Sequence, residues 1–261
     1  QNTVKTLEAK GRSGNKFSDT ASGTFLNEYY ATKKLKIPNE YAFRNSKTNK
    51  LVEPFLMQLY ITQKLKREPS FGNFSGTGAG KTLSAILASR ILKSKMTLIV
   101  CPNDVVSYWN KHILEIFPDS TVVSRKDAFS AKYDESKFQY LVINYDKLSQ
   151  ESSPNDIIKL IKQKIDFVVL DEIHFSKITS KEQVSKRRHN LDGLLTGVRK
   201  KNKDVRILGL SATPVVNNLT EGKSLLQLMT GMTYDHISTK PTVPNAVTLF
   251  ENLTTLAIRQ I

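Results

Sequence analysis

The chain has 261 residues, and 39 Lys and Arg against 24 Asp and Glu give it a formal charge of +15. Its length suits one large domain, with 12 Phe and 9 Tyr available for a sizeable core. One cysteine excludes an internal disulfide framework or zinc site, and no apolar run nears the ~20 residues of a membrane-spanning helix.

Excess positive charge of this size attracts polyanions and steers their approach. The N-terminus is polar, with neither an initiator Met nor the apolar centre of a secretory signal. The chain therefore reads as an intracellular protein, processed or trimmed at its start.

Residues 1–48 are polar, with a basic patch at Lys33, Lys34 and Lys36. They read as an N-terminal extension, loosely structured, with short helices, one of them over 21–34. From about residue 49 to 235, strand-like and helix-like runs alternate at short intervals. That alternation predicts an α/β domain, a mostly parallel sheet with helices on both faces. Strands are expected at 70–74, 97–101, 121–124, 140–144, 167–170 and 206–210. Cys101 ends the second of these and reads as a small buried core residue.

The helix over 81–92 sets Leu83, Ile86 and Leu87 on one face. Asp104 can cap a helix that buries Val105, Trp109, Ile113 and Ile116. Ser153 before Pro154 opens another, burying Ile157, Ile158 and Ile161. The basic stretch 185–190 reads as a solvated face or a loop near nucleic acid. A last helix over 220–229 is stopped by Gly231, and the final thirty residues show no strong period.

The sharpest local signal is Phe74-Ser75-Gly76-Thr77-Gly78-Ala79-Gly80-Lys81-Thr82. An apolar strand precedes it and an amphipathic helix follows. Glycines let backbone amides converge on phosphate oxygens, where a Cβ would obstruct the turn. The helix N-terminus adds the positive end of a dipole. Lys81 can reach β- and γ-phosphates, and the Thr82 hydroxyl can bind Mg²⁺, so ATP with Mg²⁺ is the expected cofactor. Ser75 stands where this loop usually opens with Gly.

A second signal is the apolar strand 167–170 running straight into Asp171 and Glu172, about 90 residues after Lys81. Ligands bind at the carboxyl ends of strands in such sheets. Asp171 is thus expected near the Mg²⁺, and Glu172 where it can orient or deprotonate the attacking water.

The phosphate loop, then Asp171-Glu172-Ile173-His174, then Ser211-Ala212-Thr213-Pro214, resembles the first RecA-like domain of superfamily-two helicases. Further segments resemble the Swi/Snf-type translocases and their relatives in restriction enzymes and large DNA viruses. These are the segment 97–102 followed by Trp109, the segment 141–145, and 211–218 with its paired asparagines. A weaker likeness at 51–58 points to Gln58 as an adenine-reading residue, with Gln63 as rival. The likeness spans 51–229.

The resemblance implies a RecA-like P-loop NTPase fold and a nucleic-acid-dependent ATPase, helicase or translocase. It makes Glu172 the catalytic base and has Asp171 hold Mg²⁺ through water. His174, Ser211, Ala212 and Thr213 would link nucleotide state to movement. Pro102, Asn103, Asn144 and Tyr145 would lie near the nucleic-acid backbone, with duplex DNA the first choice of partner. The Swi/Snf group usually carries Thr-Gly-Thr-Pro where this chain has Ser211-Ala212-Thr213-Pro214, and an acidic lead-in to the phosphate loop that is missing here; chromatin remodelling is not implied.

These motors use a second RecA-like domain, and residues 236–261 would lead towards it in a longer protein. Arg259 has no second strand-helix array around it. Alone, the piece is expected to hydrolyse ATP slowly. Other readings are an RNA helicase ATPase domain, a nucleotide-gated DNA-binding module without turnover, and an unrelated P-loop enzyme such as a kinase.

Overall fold

The computed structural model describes residues 2–10, 14–176, 185–213 and 218–259. Among these, seven strands form one parallel sheet in the order β3-β4-β2-β5-β6-β1-β7. They are β1 (Ser70–Asn73), β2 (Met96–Cys101), β3 (Thr121–Ser124), β4 (Gln139–Asn144), β5 (Phe167–Leu170), β6 (Arg206–Leu210) and β7 (Ala257–Ile258). The first six match the expected strands to within a residue at each end. The runs of β2, β4, β5 and β6 are mainly apolar because both faces of the sheet are covered there.

One face packs on α3 (Leu56–Leu65), α4 (Lys81–Ile91) and α5 (Val106–Ile116). The other packs on α6 (Ser153–Lys162), α7 (Lys186–Lys201) and α8 (Leu219–Thr230). Alternate strand residues divide between the two cores: Ile99, Val142 and Val169 face the first, Leu98, Leu141 and Val168 the second. Cys101 is fully buried, as expected.

Several local expectations are corrected. Asp104 lies in a 3-10 turn, Asn103–Val105, and caps nothing; Val105 is the N-cap of α5, and Val106 takes its place in the core. Ser152 is the N-cap of α6, and the Ser153 hydroxyl sits 2.6 and 2.7 Å from the Lys147 and Gln150 carbonyls. Ile158 is half exposed, while Leu160 is buried instead. The basic stretch opens α7 as a helix, capped by Ser185 accepting from the Arg188 amide. Gly231, at φ 71°, closes α8 as expected.

Within the first 48 residues lie α1 (Asn2–Lys10) and α2 (Lys16–Lys33). The latter is longer than its expected span and packs on α3, where Glu28 accepts from Tyr60 and Lys64 at 2.8 and 2.6 Å. The final segment holds α9 (Val243–Leu256) and β7, which pairs with β1 through Gly72 and Asn73.

Candidate active site at the strand ends

The carboxyl ends of β1, β5, β2 and β6 bring the sequence motifs together. Asn73, buried at the end of β1, accepts from the Ser75 amide at 3.3 Å and starts the phosphate loop. Gly78 and Gly80 take left-handed φ values of 81° and 74°. Gly80 is the N-cap of α4, and a Cβ there would lie 2.2 Å from Gln58 Nε2. Lys81 Nζ donates to the Ser75 and Gly76 carbonyls at 3.0 and 3.1 Å, spanning the loop from inside.

Asp171 follows β5, and its amide donates to the Val100 carbonyl at 2.8 Å. Its Oδ2 accepts from Trp109 Nε1 at 2.8 Å and its Oδ1 from the Glu172 amide at 3.0 Å. Burial pushes this carboxyl up to about 6, against the pull of the Trp109 bond. Glu172 sits at φ 47°, a left-handed conformation costly for a residue with a Cβ. Its Oε2 lies 3.2 Å from His174 Nδ1, and that contact holds its pKa below the usual carboxylate range despite burial.

His174 Nδ1 also lies 3.0 Å from Ser211 Oγ. Ser211 accepts in turn from the Thr213 amide at 3.1 Å, while its own amide donates to the Asn73 carbonyl at 3.2 Å. Glu172, His174, Ser211 and the root of the phosphate loop thus form one bonded chain. The Ala212 amide contributes to lowering the Glu172 pKa. Pro214 and Asn217 lie outside the described residues; Asn218 caps α8, accepting from the Glu221 amide.

A cleft of about 530 Å³ joins these groups; Thr77, Lys81, Thr82, Asp171 and Glu172 line it together with Gln58. Gln63 is buried in α3 and does not line the cleft. Gln58 accepts from the Phe55 amide at 2.8 Å and donates to the Gly80 carbonyl at 3.4 Å, so it braces the phosphate loop from the side. The rings of Phe43, Tyr108 and His112 complete the wall, with Tyr108 and His112 centroids 4.0 Å apart.

No cluster of three or more His, Cys, Asp or Glu suited to a metal exists among the described residues. The oxygen donors that line the cleft include the Thr82 hydroxyl and the Asp171 and Glu172 carboxylates. A hydroxyl beside carboxylates suits Mg²⁺, a cation that prefers oxygen ligands.

The nucleic-acid set divides. Asn103 is exposed and Pro102 and Asn144 are half-buried; Asn144 Nδ2 donates to Asn103 Oδ1 at 2.7 Å. Tyr145 departs from the expectation. It is only 2% exposed, stacks on Phe175 with centroids 6.1 Å apart, and donates its hydroxyl to the Asp171 carbonyl at 2.9 Å. A ring so enclosed supports the site from below instead of touching a strand of nucleic acid.

Three residues had escaped sequence reasoning. Arg125, exposed after β3 at φ 58°, donates to Asn103 Oδ1 at 3.3 Å and joins the asparagine pair. Its signal was a basic residue just past a strand end. Trp109 was expected only as core, yet its ring N–H holds Asp171. Arg188 looked solvated but is 2% exposed, donating to Asp192, to the Ser176 carbonyl and to both oxygens of Ser224. No sequence signal marked its burial.

The family model described as type III restriction enzyme, res subunit (ResIII) matches residues 52–216. The chain belongs to the ResIII family. This ResIII chain is similar to nucleoside triphosphatase I of Choristoneura fumiferana entomopoxvirus, 26% identical over 227 residues, covering 81% of the chain and 32% of the relative. It is also similar to the early transcription factor 70 kDa subunit of Melanoplus sanguinipes entomopoxvirus, at 24% identity over 67% of the chain and 24% of the relative. The chain therefore spans about a third or less of the curated relatives it matches.

Among solved structures it resembles the Sulfolobus solfataricus SWI2/SNF2 ATPase core in complex with dsDNA. The TM-score is 0.58 at 16% identity, covering 86% of this chain and 46% of that one. The Sulfolobus solfataricus SWI2/SNF2 ATPase core domain gives 0.56 at 16% identity, with 84% and 47% covered. These likenesses establish the RecA-like fold.

Proposed function

We propose that this ResIII domain is the ATP-binding and ATP-hydrolysing first lobe of a nucleic-acid-dependent motor. The observation that carries the reading is the convergence of Lys81, Thr82, Asp171 and Glu172 on one cleft at the strand ends. Lys81 exchanges its loop carbonyls for β- and γ-phosphate oxygens. Thr82 and Asp171 would hold Mg²⁺, which would neutralise phosphate charge when bound. Glu172 stays ionised beside His174 and orients the attacking water. His174 and Ser211 tie that carboxylate to residues 211–213, so nucleotide state and segment position are linked.

The partner proposed is nucleic acid, duplex DNA in the first instance, approached by Asn103, Asn144, Arg125 and Pro102. The charge of +15 favours a polyanion, and one structural neighbour was solved with dsDNA. A second RecA-like lobe, carried elsewhere in a longer protein, would supply an arginine to the transferring phosphoryl group. Such a group is worth ~10³ or more in rate, so the chain alone hydrolyses slowly. Residues 1–48 and 236–261 flank the motor core of 49–235 in this reading.

The test is ATP hydrolysis by the full-length protein, with and without duplex DNA, beside Glu172→Gln. Strong stimulation by DNA, abolished in Glu172→Gln while nucleotide still binds, is the expected result. Activity indifferent to Glu172 removes the hydrolytic assignment. Stimulation by RNA alone moves the partner to RNA.

A further inference from the structure

Asp171 is gripped twice. Trp109 donates to its carboxylate at 2.8 Å and Tyr145 to its main-chain carbonyl at 2.9 Å. Burial fixes both rings, at 0% and 2% exposure, so the bonds from their polar tips are not needed to hold the rings in place. Both tips reach the same residue from different elements.

Those elements share an origin. Trp109 lies on α5, just beyond the turn that Asn103 opens, and Tyr145 follows Asn144 directly. The two asparagines are bonded to each other at 2.7 Å at the ends of β2 and β4, with Arg125 on the same amide oxygen at 3.3 Å. A linked amide pair, Asn103 exposed and Asn144 half-buried, thus stands at one end of two short rigid paths. Asp171 stands at the other.

We infer that Trp109 and Tyr145 are positioning residues that couple the Asn103–Asn144 face to the hydrolytic carboxylates. A nucleic-acid backbone engaging that face shifts the two bonded segments as a pair. The two bonds pass the displacement to Asp171, one at its carboxylate and one at its backbone. The next residue, Glu172, sits at φ 47°, so a small rotation of the peptide re-aims its carboxylate. The inference rests on the motor reading above, and its test separates the two.

Trp109→Phe and Tyr145→Phe each remove one donor and keep an aromatic ring. In the full-length protein, ATP kcat and KM are measured with and without saturating duplex DNA, and DNA affinity by anisotropy. The DNA-stimulated kcat should fall about tenfold in each variant, the scale of one lost hydrogen bond. ATP KM and DNA Kd should stay within about twofold of wild type, since neither residue binds a ligand. Wild-type stimulation in both variants overturns the coupling and leaves the ATPase reading intact. A fall in kcat matched by weaker DNA binding also overturns it, because the rings would then be direct contacts. No hydrolysis by the wild-type protein removes both ideas together. If Trp109→Phe does not fold, the near-isosteric Tyr145→Phe decides alone.

Discussion

Asp171 pays a thermodynamic penalty for its position. Its carboxyl titrates at about 6 when folded, against 3.8 for an ordinary aspartate, because burial disfavours the charge. The folded chain therefore holds this proton more tightly than the unfolded one. That contribution stabilises the fold at low pH and is lost as pH rises from roughly 4 through 6. At pH 7 the ionised group costs the fold on the order of 3 kcal/mol. Asp171→Asn should then raise the thermal midpoint at pH 7 while ATP hydrolysis disappears. A midpoint equal to or below wild type would show that the buried charge is compensated. In the metal-free protein, Asp171 should take up its proton near pH 6 while Glu172 stays ionised, an order that carboxyl resonances followed by NMR would show. Sequence alone revealed the two carboxylates, because an apolar strand running into Asp-Glu is a local pattern. It did not reveal the Trp109 bond, which joins residues 62 positions apart, nor the left-handed backbone at Glu172.

Legibility among the elements followed how cleanly burial was written in side-chain type. Five of the six main strands were plain because their runs are largely buried on both faces, and half-buried β3 at the sheet end still showed through Val122 and Val123. Helix α3 was hidden because Gln58, Thr62 and Gln63 are buried polar residues that break its apolar period. Helix α7 was disguised by charge, with Arg188 buried among hydrogen-bond acceptors instead of facing water. Helix α9 was masked in the other direction, since it leaves Val243, Val247 and Phe250 exposed. The junction of loop and helix at Gly80 offers a prediction. Its backbone holds φ at 74°, and Gln58 Nε2 lies 2.2 Å from the point a Cβ would occupy, so an added methyl forces the end of the Gln58 side chain aside. Gly80→Ala should cost about 1–2 kcal/mol from the backbone alone. It should also weaken ATP binding at least about tenfold, because displacing Gln58 distorts the phosphate loop. Gly23→Ala is the control: α2 offers open space there, and stability should rise by roughly 0.5–1 kcal/mol. Calorimetry and nucleotide titration read both.

At the scale of the molecule, one sheet end gathers the chemistry and the charge is spread over the remainder. A formal +15 predicts that affinity for duplex DNA falls steeply with salt. Between about 50 and 200 mM salt the loss should exceed about tenfold, while nucleotide affinity moves far less. A flat salt response in an anisotropy titration would argue against contact with the phosphate backbone. The likeness to known folds reached across most of the chain at low identity because a doubly covered parallel sheet tolerates many side chains at each position. The chain also contains a single tryptophan, and its indole N–H is bonded to the carboxylate assigned to the metal. Indole emission depends on the charge and hydrogen bonding around that ring. The chain therefore carries an intrinsic fluorophore bonded into the proposed nucleotide site, and its emission should change on ATP binding without any attached dye.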